Sequence, residues 1–416
     1  MKAFLTAITA MFLCCASLFA QDVVTFYGKV IDSATGQPVS AASVLLEGTT
    51  VTNVTNSEGV FSLKVPADNR ARVVVSHLGY LTVFTASSSF AASSQDKPAE
   101  VFLPPTIYQL DPARIHALDA CTIVRDALLS VHTNYPSSHV GMMAFYRELI
   151  RKGGRKFIVL NEAVLDIDKA PYNVYVSDRA SIYKGRGSVN YDHTDSLAVK
   201  FQGGIMSCFE ADLAKNPFPG CDIKDINDTY DFKLVGSNVI DGRTFYEIEF
   251  NQRPGDTYIL YRGTLFIDTE TLAFGRVVIR MNVEGREEEA STAFVRKKPN
   301  GYRIFINESY YEINYRLSAG KWYLDYAHLS VAFDTRAKGT LFRNHYSVDS
   351  EMAITSHKDE VMPIGRDERV RFSDILSNQV ADFADDNFWG DYNVIEPDQN
   401  INQVVRRIVR QLERRR

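Results

Sequence analysis

The sequence predicts a mainly β protein in two units: a small N-terminal β-sandwich, then a large antiparallel β-meander curled as a half-barrel or cup. One helix precedes the meander and one follows it. Two observations carry this expectation. Short runs of alternating apolar and polar residues, separated by Gly, Asn, Asp and Pro turns, recur over residues 25–76 and again over 157–349. Aromatic usage is 21 Tyr and 25 Phe against 2 Trp, which suits pleated surfaces. At 416 residues, 45% hydrophobic and 23% charged, the chain is neither disordered nor fibrous and is long enough for more than one core. A formal net charge of −5 gives no global case for nucleic-acid binding.

The first twenty residues read as an address. Lys2 supplies one positive charge, residues 3–19 carry none, and Ala20 precedes the polar pair Gln21-Asp22. This is the pattern of a secretory signal peptide over 1–20, so the chain is expected to be exported, to the periplasm or in association with an outer membrane. Cys14 and Cys15 follow bulky Met11, Phe12 and Leu13, which argues against lipid attachment there.

Residues 21–104 form the predicted sandwich. Strands at 25–31, 42–47, 50–54, 59–65 and 72–76 are separated by the turns Asp32–Pro38, Gly48, Asn56-Ser57-Glu58-Gly59 and Pro66-Ala67-Asp68-Asn69. Phe61, Leu63 and Val65 alternate with Ser62 and Lys64, giving one wet face.

Gly28-Lys29-Val30, Thr35-Gly36-Gln37-Pro38-Val39, Ala42-Ser43-Val44, Asn56-Ser57-Glu58-Gly59-Val60-Phe61 and Ser76-His77-Leu78-Gly79-Tyr80 stand in an order that resembles the carboxypeptidase regulatory-like domain. The resemblance covers residues 24–103. It implies a transthyretin/Ig-like β-sandwich of the kind found at the start of exported Bacteroidetes-type envelope proteins. It does not bring a peptidase with it. The single H-x-x-E string is His357–Glu360, no histidine follows it, and neither H-E-x-x-H nor G-x-S-x-G occurs. No cofactor or metal is expected.

Residues 105–134 read as a connector and a helix over about 113–133, ended by Tyr135-Pro136. Residues 135–365 are the meander, with strands expected at 157–167, 173–177, 230–236, 243–250, 258–267, 272–283, 290–296, 302–315, 322–333 and 338–349. Ala144–Glu148, Asn161–Val164 and Gly263–Asp268 with Arg276-Val277 resemble strings of exported Bacteroidetes proteins that carry the same first domain. The stretch 263–280 also resembles a strand–turn–strand of periplasmic lipoprotein carriers, which implies a lipid-holding half-barrel. Residues 366–416 are a C-terminal helical segment with a basic end, its final helix repeating Ile401, Val404, Val405, Ile408 and Leu412 at helical spacing.

Several residues are candidates for function. Cys208 and Cys221 bracket a Pro-containing loop, and either pair as a disulfide in an oxidising compartment or stand as two buried thiols. Cys121 is expected inside its helix's apolar face. Asp32-Ser33-Ala34 and Asp195-Ser196-Leu197 resemble O-glycosylation signals, making Ser33 and Ser196 candidate acceptors. Arg406, Arg407, Arg410 and Arg414 give the last helix a basic face for an anionic membrane or an acidic partner, or simply favour the helix terminus. Glu148 and Glu162 are either a hydrolytic carboxylate pair or partners of Arg147 and Lys156 across strands. Asp222, Asp225 and Asp228 lack calcium-loop spacing and read as a solvated loop. The expected function is therefore binding, not catalysis: a lipid, glycan or envelope-protein partner held by the β-rich unit, with the sandwich as adaptor. The alternative is a carboxylate-based, glycan-directed hydrolase.

Overall fold

Alternation along each N-terminal strand buries one row of side chains, and the buried rows of two sheets meet. The structure, a computed structural model, describes residues 23–106, 119–154, 156–189, 200–201, 204–218, 221–240, 242–255, 258–297, 300–382 and 388–413. The first seven strands are β1 (Val23–Asp32), β2 (Ser43–Leu46), β3 (Thr52–Val54), β4 (Val60–Pro66), β5 (Val73–Ser76), β6 (Val83–Thr85) and β7 (Ala99–Leu103). They form a three-stranded sheet, β4-β1-β7, facing a four-stranded sheet, β3-β2-β5-β6. Val30, Val44, Phe61, Leu63, Val75 and Leu103 fill the space between them. Two glycines are obligatory. A Cβ on Gly28 would sit 2.3 Å from the Phe61 ring, and Gly59 turns at φ +73° with the Val30 carbonyl 2.5 Å from where a Cβ would be.

The second unit begins with α1 (Ala120–Leu129) and α2 (Val131–Asn134). Asp119 caps α1, its carboxylate accepting from the Cys121 and Thr122 amides. Strands β8 (Val140–Lys152), β9 (Lys156–Lys169), β10 (Arg179–Val189) and β11 (Lys200–Phe201) follow, then α3 (Ile205–Glu210) and α4 (Ile226–Thr229). Next come β12 (Tyr230–Ile240), β13 (Arg243–Gln252), β14 (Tyr261–Asp268), β15 (Phe274–Met281), α5 (Glu287–Phe294) and β16 (Val295–Lys297). The chain ends with β17 (Tyr302–Ser318), β18 (Lys321–Ala337), β19 (Asn344–His357), β20 (Ala381–Asp382) and α6 (Gln399–Glu413).

One eleven-stranded sheet runs β12-β13-β14-β15-β17-β18-β19-β8-β9-β10-β20. It is antiparallel except for the two-residue pairing of β20 with β10, and it stays open. The sheet is not a simple meander: its first long strand, β8, pairs with its last, β19, over the whole of β8's central stretch.

Register sorts the side chains onto two unlike faces. One face carries Ala144, Tyr146, Leu165, Leu265, Ile313, Leu324 and Met352, and it is covered by the chain itself. Helix α1 lays Ile123, Val124, Ala127 and Leu128 on it, and the segment from α3 to α4 adds Phe209, Leu213, Phe218 and Ile226. The inside of the expected cup is therefore filled. The other face carries Arg147, Glu162, Arg186, Glu312, His328 and Glu351, and receives the sandwich together with a C-terminal strap, residues 388–398.

Four local expectations change. Residues 173–177 are irregular, and the strand starts at Arg179. Residues 290–296 are mostly helix, because Glu287, Glu288 and Glu289 favour a helix N-terminus and Ala290 and Phe294 share its buried side. Residues 338–343 are a turn, and β19 runs on to His357. Cys121 sits half-buried at the edge of the α1 stripe, which the positions 120, 123, 124, 127 and 128 fill instead. Residues 113–118 of the expected first helix lie outside the described residues.

Candidate functional site

A cavity lies where the sandwich, the charged sheet face and the strap meet. It has a volume of about 360 Å³ and is lined by Ser40, Thr55 and Ser57 from the sandwich, Asp398 from the strap, and side chains of β8, β17, β18 and β19. Alternation puts every second residue of those strands on this face, so Arg147, Arg151, Tyr310, Glu312, Tyr326, His328, Asp349 and Glu351 converge from positions far apart in sequence.

Its charges are paired. Arg147, 2% exposed, donates from Nε to Glu162 at 2.9 Å, from Nη1 to Glu351 at 3.0 Å and from Nη2 to the Ile395 carbonyl at 2.7 Å. Arg186 holds the other Glu162 oxygen at 2.8 Å. Burial pushes the Glu162 carboxyl up, but the Arg147 and Arg186 guanidiniums outweigh it and hold it below its ordinary range. Arg151 donates to Asp349 at 2.6 Å, and Ser330 donates to the other Asp349 oxygen at 2.8 Å. Glu312 follows the logic of Glu162: burial raises it, and Arg276 at 3.0 Å with the Tyr310 hydroxyl hold it down. Burial and the same carboxylate push Tyr310 up to about 12.

The strap fastens the site. Asn53 donates to the Val394 carbonyl at 2.9 Å, Asn56 to the Glu396 carbonyl at 3.1 Å, and Lys64 to the Gly390 carbonyl. Trp389 packs edge-on against Phe145 at 5.5 Å, with the Arg186 guanidinium 5.0 Å from its ring.

Two histidines mark the junction of sandwich and sheet. Burial, with Arg276 beside it, pushes His77 down to about 4, and burial with Arg316 does the same for His357, whose carbonyl accepts from Thr50. An imidazole held neutral in the fold is protonated first in the unfolded chain. Its stabilising effect is complete above its ordinary value of 6.5 and is lost as pH falls from there toward 4. Thermal melts should therefore fall steadily over that window, by of order 2 kcal/mol per histidine, and His77→Phe should flatten the slope. The lowered carboxylates Glu162 and Glu312 add their own loss only below the ordinary carboxylate range.

The sequence candidates fall in different places. Glu148 and Glu162 do not form a pair. In register Glu162 faces Arg147 and Glu148 faces Asn161, so the two carboxylates lie on opposite faces of the sheet. Glu148 accepts from Asn161 at 3.1 Å and Tyr146 at 3.3 Å, and burial raises its carboxyl. Cys208 and Cys221 are separate thiols, so the disulfide is not formed in this structure. The Cys208 Sγ is turned into the core toward the Gly204 carbonyl, and Cys221 lies by Phe218. Ser33 is exposed on a turn that Asp32 braces by accepting from the Ala34 and Thr35 amides and the Tyr80 hydroxyl. Ser196 lies outside the described residues. Arg406 is exposed on α6, Arg407 and Arg410 belong to the same helix, and Arg414 lies outside the described residues. Ile401 and Val404 pack on Leu149, Phe157 and Leu160, so the apolar stripe of the last helix is seated on the sheet. Asp222 and Asp225 are well exposed beside Lys224. Sequence reasoning missed the cleft itself, because its lining comes from strands and loops far apart in the chain.

Comparison with known proteins adds the following. Residues 26–110 match the model of the CarboxypepD_reg-like domain. No curated protein matches the chain. Among solved structures, the chain is similar to a DUF1329 family protein from Desulfovibrio piger, at 15% identity and a TM-score of 0.23, over 57% of this chain and 94% of that one. A putative outer membrane lipoprotein-sorting protein domain from Vibrio parahaemolyticus gives 10% identity and a TM-score of 0.24, over 61% and 96%. MucB gives 12% and 0.20, over 56% and 93%. Superposition scores this low carry no argument about what this chain binds. The N-terminal sandwich is a carboxypeptidase regulatory-like domain, joined to a β-rich second unit of open-sheet architecture.

Proposed function

We propose that this is an exported cell-envelope protein that binds a short glycan in the cleft between its sandwich and the charged face of its large sheet, without transforming it. The observation that carries the reading is the cleft: about 360 Å³, near the small end of ligand sites, lined by tyrosines and by carboxylates already held by arginines. Tyr310, Asp349, Glu351 and His328 line the cleft with polar groups that offer hydrogen bonds to sugar hydroxyls. A lipid chain is disfavoured because the apolar face that would hold it is packed with α1 and the α3–α4 segment. The sandwich acts as the adaptor that closes the cleft. The basic α6 residues Arg406, Arg407, Arg410 and Arg414 serve as a secondary contact to an anionic surface.

The hydrolase alternative loses the pair named for it. Within the cleft, Glu312 is held below the ordinary carboxylate range, the opposite of what a general acid needs. A glycan array followed by calorimetry on the best ligand tests the reading. Tyr310→Ala and Asp349→Asn should each weaken binding by about tenfold, the effect of losing one hydrogen-bonding partner. Recovery of the protein from its own envelope with a bound acyl lipid, or turnover of the glycan, would defeat it.

A further inference from the structure

One end of the large sheet is built differently from the rest of the surface. The turns joining β8 to β9 and β18 to β19 and the turn that precedes β17 lie side by side there. The Gly153 amide donates to the His345 carbonyl at 2.9 Å, and the Lys338 amide donates to the Gly301 carbonyl at 2.7 Å. Among the described residues, the segments 151–156, 300–303 and 336–343 hold seven lysines and arginines and not one acidic residue. Lys152, Lys156, Arg336 and Lys338 make no ion pair among the described residues, whereas Arg151, Arg303 and Arg343 have Asp349, Glu288 and Asp334. The nearby acids, Glu284 and Glu287 to Glu289, sit on and just before α5, and three of the four bind Arg262, Arg286 or Arg303.

At the tip of the β18–β19 turn, Leu341 is 92% exposed and Phe342 86% exposed. Two adjacent large apolar side chains standing in water at the centre of a basic rim are costly unless something covers them. The sandwich does not: Ser43 and Thr50 fasten it to Asp325 and to His357, toward the opposite end of the strands. Helix α6 leaves from the basic end, its first turns seated on Leu149, Phe157 and Leu160 beside the β8–β9 turn.

We infer that this end docks on an anionic phospholipid bilayer, with Leu341 and Phe342 entering the headgroup–acyl boundary and the surrounding lysines and arginines resting on lipid phosphates. The charge and the shape agree on this partner. A tip that projects fits a soft surface, and turns rich in lysine and arginine, with most of the nearby acids already paired, fit an anionic one. The inference goes beyond the glycan reading and stands without it, since the cleft and the tip share no residue except Arg151.

Co-sedimentation of the chain from Gln21 onward with phosphatidylglycerol–phosphatidylcholine vesicles tests it, the apolar leader being left out so that it does not contribute. Binding to these vesicles should be at least about tenfold tighter than to pure phosphatidylcholine and should weaken with salt. Leu341→Ser/Phe342→Ser should bind about tenfold or more weakly while melting at the wild-type temperature, because both side chains are exposed in the fold. Absence of co-sedimentation at low salt would overturn the inference. So would undiminished binding by that double variant, including the case in which truncation after Val405 alone abolishes binding and so assigns it to α6.

Discussion

Asp212→Ala is expected to remove about 3–5 kcal/mol from the unfolding free energy. Asp212 is fully buried beneath the apolar face and gathers three donors: Lys169 Nζ at 2.7 Å, the Tyr172 hydroxyl at 2.8 Å and the Tyr315 hydroxyl at 2.7 Å. Lys169, 1% exposed, also binds Asp178 at 2.7 Å, and Lys215 binds Asp178 at 2.9 Å. Burial alone would push the Lys169 ammonium down, but Asp212 and Asp178 outweigh it and hold it above its ordinary value. Removing Asp212 leaves a buried ammonium with one partner where it had two, and two buried phenols with none of their carboxylate. Tyr315→Phe removes one donor to Asp212 and the acceptor of the Ala214 amide, and should cost about 1–2 kcal/mol. Urea unfolding followed by the fluorescence of Trp322 and Trp389 measures both, and equal losses for the two variants would contradict this account.

Arg147→Met is expected to cost a similar amount, about 3–5 kcal/mol, and to loosen one defined segment first. The guanidinium neutralises Glu162 and Glu351 and caps the Ile395 carbonyl, so it joins the centre of the sheet to the strap. Methionine fills much of the volume but leaves Glu162 with Arg186 alone and the strap carbonyl without its donor. Amide exchange in residues 389–396 should rise about tenfold or more while the β17–β18 hairpin stays protected. Uniform exchange across the sheet would mean that Arg147 supports the core generally and not the strap.

One of these two networks was partly legible. Arg147 opposite Glu162 was one of the two readings of that carboxylate, because cross-strand pairs of opposite charge are what alternation places together. The Lys169 cluster was not legible. Its members come from β9, the loop before β10, the segment after α3 and β17, and only folding brings 169, 178, 212 and 315 within hydrogen-bonding distance. Strand β8 was missed for a related reason. Phe145 and Arg147 are buried on one face and Ala144 and Tyr146 on the other, so it shows no wet row and no clear period of two. Residues 290–296 misled in the opposite direction: their apolar content reads as strand, and the three preceding glutamates that start a helix decide otherwise.

By itself the sequence determined the regulatory-like sandwich, since each of its turns demands particular residues and those residues recur in order. It also determined that most of the second unit is antiparallel strand and that the last helix carries an apolar stripe. The tertiary structure alone decided that β8 closes against β19, that the cup is filled by α1 and the α3–α4 segment, and that the strap seals the charged face. Each of those outcomes depends on which apolar surfaces find one another across hundreds of residues. Local pattern says that a face is apolar, but only the competition among all such faces for burial says what covers it.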